Sequence, residues 1–251
     1  MDRRHALKAL AGLTLCPICS PTSFAVEAAH WSYAGNTGPD RWGRLSTANG
    51  VCSAGTQQSP LDIGATTAAA LPKLDIAWGK SAQTIVNNGH SIQANFADGG
   101  RLTVGHDRYQ LVQLHFHRPS EHLIGGKRFP MEVHFVHASP AGALGVIGVM
   151  MVTGKPNAVF GKVVATMPKK PGPAIKADPA IDPNELLPAG RGYYAYAGSL
   201  TTPPCSETVA WMLLTDPVEV AEADIATFAR LYPMNARPAQ KANRRFVLRS
   251  G

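Results

Sequence analysis

The runs Gln113-Leu114-His115-Phe116-His117 and Glu132-Val133-His134-Phe135-Val136 decide how this chain folds. Polar and apolar residues largely alternate in both runs, and in a β-strand this alternation places every second side chain on one face. One face of the first run carries Gln113, His115 and His117, and one face of the second carries Glu132, His134 and Val136. If the two strands are neighbours, three imidazoles converge on the same side of a sheet.

Three converging histidines without a fourth protein ligand are typical of a catalytic zinc site, in which a tetrahedral ion keeps one position for water. Each ligand also needs a partner on its other ring nitrogen. Gln113 and Glu132 each precede a histidine by two residues, about 6 to 7 Å along the same strand face. The alternative for the H-x-H pattern alone is two polar residues on a solvated face. The third histidine and the paired Gln and Glu favour zinc.

The rest of the chain predicts a mainly β protein. Its 251 residues are 45% hydrophobic and 16% charged, which excludes collagen, a disordered tail and a bundle of membrane spans. Alternation and turn residues predict strands at 91–96, 109–117, 130–138, 143–152 and 208–215, and helices at 158–166 and 221–231. The proline-rich segment 168–188 suggests a domain linker, but paired motifs lie on both sides of it. We therefore expect a long loop within one domain.

The basic residues do not indicate a nucleic-acid partner. The formal net charge is +7, but much of the excess lies at the N-terminus, and no run of basic residues is longer than the pairs Lys169-Lys170 and Arg244-Arg245.

Residues 1–25 have the pattern of an export signal. Arg3, Arg4 and Lys8 precede an apolar stretch of about eleven residues, whereas a membrane span needs roughly 20. Small residues follow, so cleavage is expected near 25–28 and leaves no membrane span. The Arg pair resembles the twin-arginine signal, and a general secretory signal fits as well. Both routes predict a periplasmic or secreted protein.

Two of the four cysteines, Cys16 and Cys19, leave with this segment. Cys52 and Cys205 remain, and in an oxidising compartment two cysteines are expected to pair. A bridge closing a loop of about 150 residues contributes roughly 4 to 5 kcal/mol in the loop-entropy model. The alternative is two unrelated buried thiols.

Several ordered motifs between about residues 30 and 248 together resemble the α-class carbonic anhydrases of bacterial type. Besides the two histidine runs, they are His30-Trp31-Ser32-Tyr33, Gln58-Ser59-Pro60-Leu61-Asp62-Ile63, Asn87-Asn88-Gly89-His90, Ser120-Glu121-His122, Gly198-Ser199-Leu200-Thr201-Thr202-Pro203-Pro204-Cys205 and Asn235-Ala236-Arg237-Pro238-Ala239-Gln240. The resemblance implies one domain, residues 29–251, around a large, mostly antiparallel twisted central sheet with a few short peripheral helices.

The resemblance also implies an activity, the reversible hydration of carbon dioxide to bicarbonate and a proton by zinc-bound hydroxide. It makes His115, His117 and His134 the Zn²⁺ ligands, with Gln113, Glu132 and the backbone of Asn243 as their hydrogen-bond partners. An apolar substrate pocket maps onto Val136, Val146, Leu200, Thr201, Thr202 and Trp211. His122 and Tyr196 correspond to a supporting pair and not to ligands.

Three further residues receive catalytic roles by resemblance. Glu121 and Thr201 form a gate: an ionised carboxylate has no proton to give, so Thr201 must donate a hydrogen bond to it and can then accept a hydrogen bond from the hydroxide. His90 aligns with the proton shuttle, for which an ordinary histidine pKa of about 6.5 is suitable. The alternatives are a turn Thr, a surface Glu and an exposed turn His.

Two departures from animal relatives are Arg118-Pro119, where those carry Trp and Gly, and Gln93, where they often have Asn. Neither is expected to touch the ligands or the gate. Other readings of the same residues are a zinc-dependent esterase and a non-catalytic binding module, although the latter typically lacks a ligand histidine. The sequence leaves open whether the chain forms a homodimer.

Overall fold

Short strands separated by turns make up most of the chain. The computed structural model describes residues 30–79 and 81–251. The strands found there are β1 (Asp62–Ile63), β2 (Thr67–Ala69), β3 (Leu74–Trp78), β4 (Thr84–Asn87), β5 (Ile92–Asn95), β6 (Gly100–Val104), β7 (Asp107–His117), β8 (Leu123–Ile124), β9 (Lys127–Arg128), β10 (Met131–Ala138), β11 (Leu144–Thr153), β12 (Ile175–Lys176), β13 (Tyr193–Gly198), β14 (Val209–Leu214), β15 (Val218–Val220) and β16 (Leu248–Ser250). All five predicted strands are confirmed, with bounds that agree within two residues.

One large mixed sheet carries most of these strands. Its main path runs β12-β4-β5-β7-β10-β11-β14-β13-β16-β2, and β1, β8 and β9 form a separate small sheet. Most pairings are antiparallel, but β11 pairs in parallel with β14 and β15, and β16 pairs in parallel with β2. The predicted fold class, mainly β around a large and mostly antiparallel sheet, is confirmed.

Helices are short and lie at the periphery. They are α1 (Trp42–Leu45), α2 (Val51–Ala54), α3 (Ala158–Thr166) and α4 (Glu222–Ala229), with 3-10 turns at Gly35–Thr37, Pro39–Arg41, Thr47–Asn49 and Pro183–Leu186. The side chain of Asn157 caps α3 by accepting from the backbone N–H groups of Val159 and Phe160, which leaves fewer unpaired donors at its first turn. The predicted helix at 158–166 is confirmed. The helix predicted at 221–231 is also present, but the observed α4 is slightly shorter than predicted.

The alternation along β7 and β10 separates two hydrophobic clusters. Phe116 and Phe135, which alternate with the histidines, pack with Phe160 and Phe228 of α3 and α4 in the larger cluster. The smaller cluster contains Val146, Tyr196 and Trp211 and lies on the histidine side. The sheet thus carries a helix-covered core on one face and the candidate site on the other.

The proline-rich segment 168–188 is a loop of this domain and not a linker. Its short strand β12 pairs with the edge strand β4, and Ile181 within it is fully buried in the larger cluster. The predicted export signal and its cleavage point lie outside the described residues. None of the helices in the described part of the chain has the length and apolar character needed to cross a membrane.

Candidate metal centre

His115, His117 and His134 converge as the strand pattern predicts. In the antiparallel pairing of β7 with β10, His134 lies opposite His115 and Glu132 lies opposite His117. One ring nitrogen from each histidine can be chosen so that all three lie within 4.8 Å of one another. His117 and His134 are almost fully buried, and His115 is partly buried.

A hydrogen bond on the second nitrogen fixes the tautomer of each ring. The Nδ1–H of His115 donates to Gln113 Oε1 at 2.8 Å, and the Nε2–H of His134 donates to Glu132 Oε1 at 2.7 Å. The Nδ1–H of His117 donates to a backbone carbonyl at 2.8 Å. The inward lone pairs are therefore Nε2 of His115, Nε2 of His117 and Nδ1 of His134, which is the arrangement that a metal ion needs.

The carbonyl that orients His117 belongs to Asn235, so the prediction of Asn243 was wrong. Asn243 lies elsewhere, where its side chain donates to the carbonyl of Thr56. The reason is the position of Asn235 beside the end of β7, where its own backbone N–H donates to the carbonyl of Arg118. The Asn235-Ala236-Arg237 motif was the available signal, and the role was assigned to the wrong asparagine.

Glu132 is fully buried and serves two histidines. Besides His134, it accepts from the Nδ1–H of His122 at 2.7 Å and from the backbone N–H groups of Glu121 and His122. Nε2 of His122 is hydrogen-bonded to the hydroxyl of Tyr196 at 2.6 Å. Both nitrogens of His122 are thus in use, so the ring supports Glu132 and has no lone pair to offer a metal.

Burial and charge set the protonation of the ligand group. Burial lowers the pKa of His115 and of His117, and the neighbouring histidines lower that of His115 further, which favours the neutral imidazoles that bind metal. Burial also opposes protonation of His134, but the charge of Glu132 and its hydrogen bond outweigh it and raise the pKa. A cation at Nδ1 would compete with that proton.

A metal ion fits this group of residues. Nε2 of His117 is buried and has no hydrogen-bond partner among the described residues, and a buried nitrogen of this kind is costly unless something binds it. Three imidazole donors and no thiolate make a set that suits zinc and leaves one position open. The residues present therefore fit Zn²⁺.

Glu121 reaches the open side of the ligand group. Its Oε1 accepts from the backbone N–H of Arg237 at 2.8 Å, and its Oε2 lies 3.5 Å from Nε2 of His117. In the described part of the chain Oε2 has no hydrogen-bond partner, and Thr201 makes no hydrogen bond to this carboxylate. Thr201 is nevertheless almost fully buried. The predicted gate contact is therefore not formed here.

The predicted apolar pocket comes together beside the histidines. Val146 and Trp211 are buried in the smaller cluster, and Val136 and Leu200 pack against it. The Trp211 ring lies 4.9 Å from the ring of His134. The structure thus places an apolar wall next to the candidate ligands. Thr202, which was predicted to line the same pocket, is only partly buried.

His90 lies on the turn before β5 and stacks on Trp31, with ring centroids 3.6 Å apart. Partial burial, and then the charge of His30, lower its pKa from the usual value. The side chain of Asn235 donates to the carbonyl of His90 at 2.9 Å. The predicted shuttle residue is thus tied to the same asparagine that orients His117, and this link was not foreseen from the sequence.

The two departures from animal relatives do not touch the candidate ligands through hydrogen bonds. Gln93 donates to the side chain of Asn95 at 2.6 Å and accepts from that of Asn88 at 3.3 Å. The guanidinium of Arg118 donates to the carbonyl of Pro233. Gln93 nevertheless lies opposite His115 in the pairing of β5 with β7, and the backbone N–H of Arg118 donates to the side chain of Asn235.

Comparison with known proteins assigns the family. Residues 37–251 match the model of the eukaryotic-type carbonic anhydrases. The chain is 35% identical to a carbonic anhydrase of Nostoc sp., covering 98% of this chain and 97% of that protein, and 38% identical to one of Neisseria gonorrhoeae, covering 96% and 98%. The α-carbonic anhydrase of Thermovibrio ammonificans, solved with the inhibitor sulfanilamide, superimposes with a TM-score of 0.85 at 42% identity over 88% of this chain and 99% of that one. The chain therefore belongs to the eukaryotic-type, or α-class, carbonic anhydrases, a family of enzymes.

Proposed function

We propose that this chain catalyses the reversible hydration of carbon dioxide with a zinc ion held by His115, His117 and His134. The observation that carries the proposal is the convergence of three ring nitrogens whose tautomers are fixed by Gln113, Asn235 and Glu132. When bound, zinc acts as a Lewis acid that makes water a good nucleophile near neutral pH. The remaining steps depend on the chain's own groups.

Thr201 and Glu121 orient the nucleophile. An ionised Glu121 can only accept hydrogen bonds, and the backbone N–H of Arg237 already occupies Oε1. Oε2, which has no partner among the described residues, is left to accept a hydrogen bond from the hydroxyl of Thr201. The oxygen of Thr201 then accepts a hydrogen bond from the nucleophile, and this directs a lone pair of the nucleophile at the substrate carbon.

Carbon dioxide has little polarity, so it is held mainly by apolar contact. Val136, Val146, Leu200 and Trp211 supply that surface beside the histidines. The backbone N–H of Thr201 faces one substrate oxygen, and Thr202 lines the same side. His90 carries the released proton from the cleft to buffer. Carbon dioxide and bicarbonate are thus the proposed substrate and product.

Metal content and stopped-flow hydration test this function. We expect about one zinc per chain, and chelation should abolish hydration because no fourth protein ligand compensates. His134→Ala should lose both zinc and activity. His106→Ala is the matched control, since His106 lies exposed on the turn between β6 and β7. Full zinc content and full activity in His134→Ala would refute the site.

The variant Glu132→Ala distinguishes a metal ligand from a residue that only orients a ligand. Loss of a residue that orients a ligand typically costs about 10- to 100-fold in affinity or activity. The zinc affinity and hydration activity of this variant should therefore lie between those of His106→Ala and His134→Ala. An effect as large as that of His134→Ala would mean that Glu132 has been assigned wrongly. Measuring ester hydrolysis on the same samples separates hydration from the esterase alternative, in which ester turnover would dominate.

We also infer that the chain acts outside the cytoplasm. A disulfide between Cys52 and Cys205 is present, and such bridges persist in oxidising compartments. The signal-like residues 1–25 support export to the periplasm or beyond. Cell fractionation with an antibody against the mature chain tests this inference, and a cytoplasmic location would contradict it.

A further inference from the structure

The turn that carries the proposed shuttle residue packs against the loop that follows α3. The side-chain amide of Asn87 donates to the carbonyl of Pro168 at 3.1 Å, and the backbone N–H of Gly172 donates to the carbonyl of Asn87 at 3.2 Å. A Cβ on Gly89 would lie 3.9 Å from the ring of Pro171. The loop between these contacts is therefore held beside the turn.

This loop carries two exposed lysines, Lys169 and Lys170. Lys170 and His90 are each one residue away from the contact between the proline ring and the glycine, so chain geometry keeps their Cα atoms within about 15 Å of each other. Neither lysine makes an ion pair or a side-chain hydrogen bond in the part of the chain that the structure describes, whereas Lys162 on α3 pairs with Asp178 at 3.5 Å. The charges of both lysines can therefore act on solutes near the turn.

Arg118 brings a third positive charge to the same place. The side chain of Asn235 accepts from the backbone N–H of Arg118 at 2.7 Å and donates to the carbonyl of His90 at 2.9 Å. The guanidinium of Arg118 donates to the neutral carbonyl of Pro233 and makes no ion pair within residues 30–79 and 81–251. No acidic residue balances these charges within the segments that meet at the turn, which are 87–91, 168–172 and 233–237.

We propose that Lys169, Lys170 and Arg118 attract dianionic phosphate to this turn, where it accepts the proton that His90 carries. The inference rests on the proposed hydration activity and specifies its last step. The protonated ring of His90 gives its proton to an oxygen of the dianion, which leaves a neutral imidazole and a phosphate monoanion. Because the monoanion carries half the charge, it is held less strongly and is replaced by the next dianion.

The double negative charge makes phosphate the acceptor that these residues favour. Coulomb energy is proportional to charge, so a dianion is attracted twice as strongly as a monoanion, and a neutral buffer base is not attracted. Phosphate groups also exchange a proton near neutral pH, as the acceptor must. Clefts lined by charges of one sign raise association rates about tenfold or more, and exposed side chains should give the lower end of that range. The three residues thus act by steering the buffer, without touching the candidate zinc ligands.

The dependence of kcat on buffer concentration, measured on the zinc-loaded, processed protein at saturating carbon dioxide, tests the proposal. Its initial slope is the rate constant for proton transfer to the buffer, which is compared between phosphate and an imidazole-type buffer whose accepting form is neutral. Lys169→Glu/Lys170→Glu should lower the constant for phosphate about three- to tenfold at low ionic strength and leave that for imidazole nearly unchanged. The ratio of the two constants cancels any effect of the substitutions on His90 itself.

Lys73→Glu/Arg249→Glu is the matched control, because it changes the net charge by the same amount far from the turn. Pro72, next to Lys73, accepts from the hydroxyl of Tyr193 on β13, and Arg249 lies opposite Tyr194 of the same strand. In the sheet order β13 is six interstrand spacings from β4, where the turn begins, or about 29 Å at roughly 4.8 Å each. This control should keep the wild-type constants for both buffers.

Added salt gives a second readout, because steering is screened when the Debye length falls to about 3 Å at 1 M. The preference of the wild type for phosphate over imidazole should then shrink toward that of the lysine variant. Equal losses with both buffers, or no loss with phosphate, would overturn the proposal. Absence of hydration by the wild type in either buffer would instead refute the proposed function, whereas normal turnover in imidazole without a phosphate effect would overturn the steering alone.

Discussion

Asn235 uses every polar group that it has. Its backbone carbonyl accepts from His117 and its side-chain carbonyl accepts from the N–H of Arg118, while the side-chain amide donates to the carbonyls of His90 and Phe116. The residue is fully buried, so each of these bonds is costly to lose. The orientation of a candidate ligand and the position of the candidate shuttle therefore depend on one side chain.

Replacing His90 should slow proton transfer without weakening the attack on carbon dioxide. His90→Ala is expected to lower kcat severalfold or more in weak buffer while kcat/KM hardly changes, because only the step that regenerates the site is affected. Burial lowers the pKa of His90, so the ring stays neutral and able to accept a proton somewhat below pH 6.5. Stopped-flow hydration at low buffer concentration measures the effect.

Chemical rescue of this variant distinguishes a proton-transfer role of His90 from a structural role. An imidazole-type buffer should restore much of the lost kcat of His90→Ala. A parallel loss of kcat and kcat/KM that buffer does not repair, or an unchanged kcat, would show that the stacking of His90 on Trp31 has only a structural role.

At the scale of elements, alternation predicted β7 and β10 well because the sheet buries only every second side chain on its helix-covered face. The positions of Gln113, His115, Glu132 and His134 on one face followed directly. The parallel pairing of β11 with β14 could not be predicted, because it depends on which strands become neighbours in the sheet and not on a local sequence pattern. The partner of His117 was missed for the same reason: it lies 118 residues away in sequence.

The bridge between Cys52 and Cys205 connects two such distant elements, α2 and the loop that carries Thr201. Its sequence separation of 153 residues gives about 5 kcal/mol in the loop-entropy model. We expect reduction to lower the denaturant midpoint markedly and to reduce hydration activity as the Thr201 loop loosens. Urea unfolding with and without reductant measures the first effect.

A double variant supplies the control for the bridge. In Cys52→Ser/Cys205→Ser, reductant should change nothing, and the unfolding midpoint should match that of the reduced wild type. Thiol titration of the denatured, unreduced mature protein should find about none. Two free thiols, or equal stability of oxidised and reduced protein, would contradict the prediction.

For the whole molecule, the fold class was predictable because strand-type alternation recurs along the chain and helical patterns are short. The acid stability of the whole chain was not predictable, because it depends on burial that a sequence does not reveal. His137 is the clearest case.

His137 is buried beside Trp78 in the sheet, where Nδ1 donates to the carbonyl of Gly145 at 3.0 Å and Nε2 has no partner among the described residues. Burial lowers its pKa from 6.5 to about 4. Between those two pH values His137 is mostly protonated in the unfolded chain and mostly neutral in the folded chain. The free energy of unfolding therefore falls as the pH falls from 6.5 to 4, by up to about 1.4 kcal/mol per pH unit.

Removing this titration should flatten the acid side of the stability curve. His137→Asn keeps a donor near the carbonyl of Gly145 but cannot be protonated. Between pH 6.5 and 4 its free energy of unfolding should therefore fall less steeply than that of the wild type, by up to about 1.4 kcal/mol per pH unit. Urea unfolding at several pH values gives both slopes, and subtracting them cancels the contribution of groups common to both proteins, the candidate zinc ligands included. The variant is expected to be less stable at neutral pH because the asparagine fills the site poorly, but that offset does not affect the slope. Parallel curves would mean that the fold accommodates a charged His137, and the cause of acid unfolding would then lie with other groups.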